Sequence, residues 1–265
     1  MKYAFKKARM MRVYDIENRK HKVTLNDLKT SQFTGSQETV YAEGTDGAKL
    51  AAFDLNKVAG YNATNGAIET GYLALQVGAE EEVIADGTGV TLRTVLKTDD
   101  GTSATMPHKA HGVEGNEIGF IYAIGADRMP GEAYAQAASA SATEFAYDPE
   151  TNVITLPTGK FKAGSEIVVD YNPKFSEYKM INNEAEKFAF TGRVIIDAWF
   201  TDICTQKDVP LQVVMEKGKI SGEIDLSYGD QAAVQNVAVE ALTDVCSDTK
   251  SLWKLYTYDE ELIED

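Results

Sequence analysis

Residues 217–242 read KGKISGEIDLSYGDQAAVQNVAVEAL, and polarity alternates along this stretch with a period of two. Gly229 interrupts the alternation and supplies the backbone freedom that a turn needs. The pattern predicts an antiparallel β-hairpin with one packed face and one polar face. The packed face carries Ile220, Ile224, Leu226, Val237 and Val239, and the polar face carries Lys219, Ser221, Glu223, Asp225, Ser227, Asn236 and Glu240.

Other parts of the chain are also typical of short strands separated by turns. The most apolar run, FAFTGRVIIDAWFT at residues 188–201, predicts a central strand that is covered on both faces. We therefore expect a mainly β chain, in an antiparallel sandwich or barrel-forming arrangement. Further strands are predicted at Met11–Tyr14, Lys22–Leu25, Glu38–Ala42, Lys49–Asp54, Val90–Thr98, Ile118–Ile124, Phe145–Tyr147, Val153–Leu156, Glu166–Tyr171, Leu211–Glu216 and Trp253–Tyr258.

One segment has the period of a helix. Ile68, Tyr72 and Leu75 recur at helical spacing within residues 65–77, and Gly78 suits the position after the last helical residue. The sequence thus predicts one short helix in the first third of the chain.

The chain has 265 residues, a formal net charge of −15 and a hydrophobic content of 43%. This composition predicts a folded globular protein, and no apolar run is long enough to predict a membrane span. The basic N-terminus lacks the apolar core of a signal peptide, so we expect the protein to stay in the compartment that made it. Cys204 and Cys246 are therefore expected to be reduced and buried.

Charge is unevenly distributed. Residues 1–22 carry eight Lys or Arg against two acids, a net charge of +6, which leaves −21 for the rest of the chain. This segment is either a solvated terminus or a basic arm that docks on an acidic copy of the same protein, ordering on assembly. The candidate docking residues are Lys2, Lys6, Lys7, Arg9 and Arg12.

No motif of a common enzyme class stands out. His108 and His111 with Glu114 are spaced as a metal site could be, but they lie in a Gly-rich segment without the helical motif of zinc hydrolases. Carboxylates are numerous, so a glycosidase is not selected but stays open. The sequence predicts a structural protein with no catalytic residues, no cofactor and no metal.

The late hairpin resembles that of tail tube proteins of long-tailed bacteriophages, in its run KGKISGEIDLSYGD and its second strand ending in VEAL. The stretch from Val40 to Phe53, followed by TNGAIETGYLALQVG, is also similar to how that family begins. The resemblance covers residues 40–80 and 190–258.

The resemblance implies a virion protein of the tail, assembled in the host cytoplasm. It implies homo-oligomeric rings, typically hexameric, that stack with other tail proteins into a hollow tube for DNA. The polar face of the hairpin would line the lumen, where an acidic wall repels DNA and does not bind it tightly. With the resemblance as the core, we expect the chain to divide into a basic arm at 1–22, a tube-like core at 23–81 and 179–258, a β-rich insertion or joint elaboration at 82–178, and an acidic tail at 259–265.

Two other functions remain open. A capsid decoration or head-to-tail connecting protein would also be a β fold without a catalytic site. A secreted carbohydrate-binding or hydrolytic β-sandwich fits less well, because the chain has only two Trp residues for stacking on sugars. From the pattern alone, the polar face is equally that of an ordinary edge hairpin facing solvent.

Overall fold

The computed structural model describes residues 2–125, 127–225, 234–245 and 249–258. The chain is mainly β, with antiparallel sheets and, in this described part, one short helix, which confirms the predicted fold class. The elements are β1 (Tyr3–Tyr14), β2 (His21–Leu25), β3 (Leu28–Glu43), β4 (Lys49–Asn65), α1 (Thr70–Val77), β5 (Glu82–Gly87), β6 (Leu92–Lys97), β7 (Ser103–Thr105), β8 (Phe120–Ile124), β9 (Pro130–Gln136), β10 (Glu144–Asp148), β11 (Val153–Thr155), β12 (Glu166–Tyr171), β13 (Phe175–Met180), β14 (Thr191–Asp202), β15 (Asp208–Ile220), β16 (Gln235–Ala241) and β17 (Lys254–Thr257).

The chain divides into two compact units, unit 1 at residues 1–81 with 181–265 and unit 2 at residues 82–180. Unit 1 is built on one sheet in the order β2-β1-β14-β15-β16-β4-β3, with β17 added on β15. The ends of this sheet approach each other where β1 contacts β3, so the sheet curls into a nearly closed barrel. Alternate residues of its strands point inward and form the core of unit 1.

The interior of the barrel is packed with aliphatic, Met and Tyr side chains. Tyr61 and Tyr72 are fully buried there, and α1 closes one side through Tyr72 and Leu75. Since β14 pairs with both β1 and β15, the prediction that residues 188–201 contain a central strand is confirmed. The core also contains Met11, Val13, Val23, Leu25, Ala59, Ala63, Val194, Ile196, Val213, Met215, Ile220, Val237, Val239 and Ala241.

The helix begins later than predicted. Residues at the start of the predicted span 65–77 remain in the sheet, because Asn65 ends β4 and pairs with Gln235 of β16. The Gln235 amide then accepts a hydrogen bond from the backbone N–H of Glu69 and donates one to its carbonyl, fixing the entry into α1. The predicted helix end is confirmed, since Gly78 adopts φ 71°.

The basic N-terminal segment is not a free arm. β1 pairs with β14 along its length and with β2 at its end, and Met11 and Val13 are fully buried. The expectation that residues 1–22 order only on assembly is therefore wrong for residues 3–14. The reason is that β1 carries apolar residues that pack into the barrel. The free energy gained by burying them outweighs the tendency of its basic residues to keep the segment in solvent.

The predicted hairpin at residues 217–242 is shorter than expected. β15 ends at Ile220 and pairs with β16 only from Gly218 to Ile220. Beyond it the carbonyl of Glu223 accepts a hydrogen bond from the Gln76 side chain of α1. The prediction of a strand through residue 225 is wrong because this contact draws the chain off the sheet towards the helix. Leu226, Ser227 and the turn at Gly229 lie outside the described residues.

Cys204 is exposed, which corrects the prediction that it is buried. It lies between β14 and β15, where its backbone N–H donates to the carboxylate of Asp202. Cys246 lies outside the described residues.

Unit 2 contains a seven-stranded sheet in the order β6-β12-β8-β9-β10-β11-β7 and a two-stranded ribbon of β5 and β13. Its core is separate from that of unit 1 and is centred on Ile121, Phe145, Ile154 and Ile167. The small-residue segment AYAQAASASATE, residues 133–144, begins within β9, which pairs with both β8 and β10. Small side chains gave little strand signal there.

Candidate assembly surfaces

The outer side of the barrel strands β4, β15 and β16 carries mainly polar side chains. We call this surface, formed by Asn62, Thr64, Lys219, Asn236 and Glu240, the polar face. Register pairs Lys219 with Glu240 and Asn236 with Thr64, so these side chains are neighbours. Three of the predicted lumen residues, Lys219, Asn236 and Glu240, are thus together on one surface.

A shallow groove of about 440 Å³ runs along this surface, with Lys219, Glu240 and Asn62 in its lining. The ammonium of Lys219 donates to the carbonyl of Ala189, so its charge is held at the sheet margin. Glu240 is exposed. The groove therefore offers hydrogen-bonding groups and few free charges.

The other predicted lumen residues are not on a strand. Ser221 still lines the groove, while Glu223 and Asp225 lie on the exposed segment after β15. The side chains of Glu223 and Asp225 thus do not follow the alternation predicted for them. Ser227 lies outside the described residues.

The second surface is the long hairpin of β3 and β4. Between residues 32 and 58, all of which the structure describes, no residue is buried. The strand from Ser36 to Glu43, in which all residues but Gln37 are paired with β4, alone extends over about 25 Å. This outer part, residues 36–58, is the projecting hairpin, and it lacks a covering partner in the described chain.

One face of the projecting hairpin is apolar. Val40 pairs with Phe53, so both point to the same side, and Leu55 points there too, with Glu38 opposite it. The ring of Phe53 is 57% exposed. Because exposed apolar clusters mark interaction sites, this face is a candidate contact surface.

The opposite face of the hairpin is held by polar contacts. The hydroxyl of Thr39 donates to the carboxylate of Asp54 at 2.7 Å, and the ammonium of Lys49 lies 3.8 Å from the centre of the Tyr41 ring. The polar side chains of this face are therefore paired within the hairpin, whereas the apolar face has no covering partner in the described chain.

A third surface is an apolar opening of the barrel, which we call the barrel mouth. It is a cavity of about 250 Å³ at the margin between β1 and β3. Phe5 and Trp253 are 43% and 45% exposed, although Leu211 behind them is buried. The mouth is lined by Phe5, Phe33, Phe200, Leu211, Val213, Trp253 and Leu255, with the backbone of residues 34 and 35.

Of the predicted docking residues, Lys2, Lys6 and Lys7 are close in sequence to Phe5 of the mouth, whereas Arg9 and Arg12 line a separate pocket with Asp197. The ammonium of Lys6 lies 2.5 Å from the carboxylate of Asp208, and this contact holds the pKa of Asp208 below its usual value. Arg12 forms a half-buried ion pair of 2.5 Å with Asp197. Lys2, Lys7 and Arg9 form no salt bridge within the described residues, so they are the cations free to meet a partner.

A partly exposed charge cluster links three elements of the barrel. The carboxylate of Glu216 lies 3.0 Å from the guanidinium of Arg19 and 2.9 Å from that of Arg193. Burial opposes ionisation of Glu216, but the two arginine hydrogen bonds outweigh it and its pKa lies below the usual value. This cluster ties β15 to β14 and to the turn after β1.

Sequence reasoning missed the barrel mouth and the extent of the projecting hairpin. The mouth joins residues that are far apart in the chain, so no local pattern could reveal it. The hairpin did leave a signal: Val40, Phe53 and Leu55 are apolar at strand positions, but whether their face is covered depends on the tertiary fold.

No group of three or more His, Cys, Asp or Glu side chains in the described residues is arranged to hold a metal ion. Within the same residues, no helix is long and apolar enough to cross a membrane.

A search of curated proteins found no match to the chain. A family model, that of the YomU/Tube protein family, matches residues 7–254. The match includes strands of both units, the polar face and the projecting hairpin, and all of the barrel mouth except Phe5 and Leu255. It is wider than the predicted resemblance, which covered residues 40–80 and 190–258, and it agrees with that resemblance in naming tube proteins. The chain belongs to the YomU/Tube protein family.

Proposed function

We propose that the protein is the tail tube subunit of a long-tailed bacteriophage, which assembles as rings that stack into a hollow conduit for DNA. The observation that carries this proposal is the projecting hairpin, with no buried residue between positions 32 and 58. A two-stranded ribbon of this length is marginal alone and gains stability when a neighbouring copy covers it. Membership of a tube protein family supports the same function.

In this proposal the polar face lines the conduit. Lys219, Asn236 and Glu240 lie on one side of the sheet, while the opposite side packs the barrel core. A lumen with few free cations lets a polyanion pass without being held, because tight binding of DNA requires a basic surface. Glu223 and Asp225 remain candidates at the margin of the same wall.

Ring size and partners are inferred from the family resemblance. We propose rings of six copies, in contact with other tail proteins, in the virion tail after assembly in the host cytoplasm. Lys2, Lys7 and Arg9 are proposed to dock on acidic residues of an adjacent copy, supported by their freedom from salt bridges within the described residues. Lys6 and Arg12 are already paired within the chain.

We further propose that unit 2 is an insertion in the tube-like core. Its ribbon begins and ends with Glu82 and Met180 as direct partners, so the chain enters and leaves at neighbouring points. Replacing residues 86–176 by Asn-Gly, between the paired residues Ala85 and Glu177, should leave unit 1 folded with a cooperative thermal transition. Loss of that transition would show that the two units fold jointly.

The proposed function is tested by sedimentation velocity of the purified chain over a concentration series. We expect association into large particles in the absence of any capsid, because both contact surfaces belong to the same chain. If the chain stays monomeric at every concentration but binds empty capsids, the protein is a capsid decoration protein and not a tube subunit.

A further inference from the structure

The barrel mouth and the projecting hairpin are both incomplete surfaces, and they have complementary shapes. The mouth is a concave cavity of about 250 Å³ lined by apolar side chains. The hairpin presents a convex apolar face whose most exposed ring is that of Phe53. A dry apolar cavity of about 150 Å³ accommodates a benzene ring, so the mouth has room for one phenylalanine side chain.

The hairpin cannot fill the mouth of its own chain. Phe33 lines the mouth at the base of β3, while Phe53 pairs with Val40, seven residues farther along that strand. At about 3.4 Å per residue these positions are about 24 Å apart. A projecting hairpin that fills the mouth must therefore belong to another copy of the chain.

Charge favours this contact between two copies of the chain. The projecting hairpin, residues 36–58, has four acids and two lysines, a net charge of −2. β1, which brings Phe5 to the mouth, contains no acid, and with Lys2 it has five Lys or Arg, of which Lys6 and Arg12 are paired with Asp208 and Asp197. An acidic apolar ribbon and a basic apolar cavity attract each other and orient the contact.

We propose that Phe53 of one copy inserts into the barrel mouth of the next, with Glu38 of the hairpin directed towards Lys7. This inference rests on the proposed self-assembly and names the two surfaces that perform it. Each copy would use its hairpin on one neighbour and its mouth on another. Such a heterologous contact builds rings or open stacks and does not close into a two-fold dimer.

The test uses two full-length variants that each lack one surface. Phe53→Glu removes the hairpin contact and keeps the mouth, while Phe5→Glu places an acid in the mouth and keeps the hairpin. Phe53 is 57% exposed, so Phe53→Glu should melt like the wild type. Phe5 is 43% exposed and packs edge-on against Phe200, so Phe5→Glu should melt at a lower temperature but with the same cooperative transition. Val113→Glu is the matched control, because Val113 is 75% exposed in unit 2 and belongs to neither surface.

Mass photometry at a concentration where the wild type assembles gives the readout. We expect each variant alone to remain a single chain, and the control to assemble as the wild type does. A 1:1 mixture of the two variants should form a dimer and nothing larger, because it contains one intact hairpin and one intact mouth per pair.

Two results would overturn the pairing while leaving self-assembly intact. In the first, the wild type assembles but the 1:1 mixture of the two variants stays monomeric. In the second, one variant by itself assembles to the same extent as the wild type. A wild type that never assembles would instead overturn the proposed function itself, so the two failures can be told apart.

Discussion

Gly71 within α1 and Gly78 directly after it differ in whether the structure has room for a side chain. A Cβ added at Gly71 would lie 3.5 Å from Cγ2 of Val23, an ordinary packing distance. A Cβ at Gly78 would lie 2.1 Å from the carbonyl oxygen of Phe188, and the backbone there has φ 71°. The first glycine is therefore replaceable, and the second is required by the turn that ends α1.

We expect Gly71→Ala to raise the free energy of unfolding by about 0.5 kcal/mol, since alanine loses less backbone entropy in a helix. Gly78→Ala should lower it by roughly 1–3 kcal/mol from the left-handed conformation alone, and further through the clash. Urea unfolding of the two variants measures both changes. Equal effects of the two substitutions would contradict the assigned helix end.

At the same scale, Glu216 makes stability depend on pH. Its pKa is lowered in the folded state relative to the usual 4.5, so its contribution is present above that value and is lost as the pH falls through the folded pKa. We expect Glu216→Gln to be less stable than the wild type at pH 7, with a gap in melting temperature that narrows as the pH falls below 4.5.

Thermal melts of both proteins between pH 3 and pH 7 check this expectation. Glu144→Gln serves as a control, because Glu144 is exposed and its carboxylate accepts a hydrogen bond from the Ser141 hydroxyl. A gap that stays constant across the range would mean that Glu216 acts by packing and not by charge.

At the scale of elements, the projecting hairpin should be dispensable for folding and required for assembly. Ser36 pairs with Val58, so replacing residues 37–57 by Asn-Gly joins two facing residues with a two-residue turn. We expect the melting temperature to change by only a few degrees, because none of the removed residues is buried. The shortened protein should remain a single chain in sedimentation velocity.

The control for that deletion is the full-length chain at the same concentration. If the shortened protein still forms large particles, a surface other than the projecting hairpin mediates assembly. A shortened protein that fails to fold would show that the hairpin stabilises the barrel, contrary to its exposure.

Elements with a strong local pattern could be predicted from the sequence. Glu166–Tyr171 was predicted with the bounds that β12 has, and the end of α1 at Gly78 followed from local chemistry. The start of α1 and the end of β15 could not be predicted, because they depend on the side chains of Gln235 and Gln76, which act across the fold.

For the candidate site, the same distinction applies. Lys219, Asn236 and Glu240 were brought to one surface by alternation along two strands, which a sequence displays directly. The barrel mouth was invisible to that reasoning, since Phe5, Phe200 and Trp253 meet only after the sheet has curled. Burial of β1 was missed because its basic residues masked the inward-facing Met11 and Val13.

For the whole molecule, the fold provides a barrel with one packed and one polar side, and a ribbon that extends beyond it. Repetition of such a subunit around an axis would cover the apolar ribbon and leave the polar face towards a channel. An unpaired ribbon in a free subunit is an aggregation hazard, so ordered assembly also protects the protein.

The most direct test of this account is negative-stain electron microscopy of the purified full-length chain over a concentration series. We predict rings and rods whose end-on views show a stain-filled central channel, appearing in the wild type and absent from the hairpin-shortened protein. Single-chain particles at every concentration, or solid filaments without a channel, would contradict the claim that the protein builds a hollow tube.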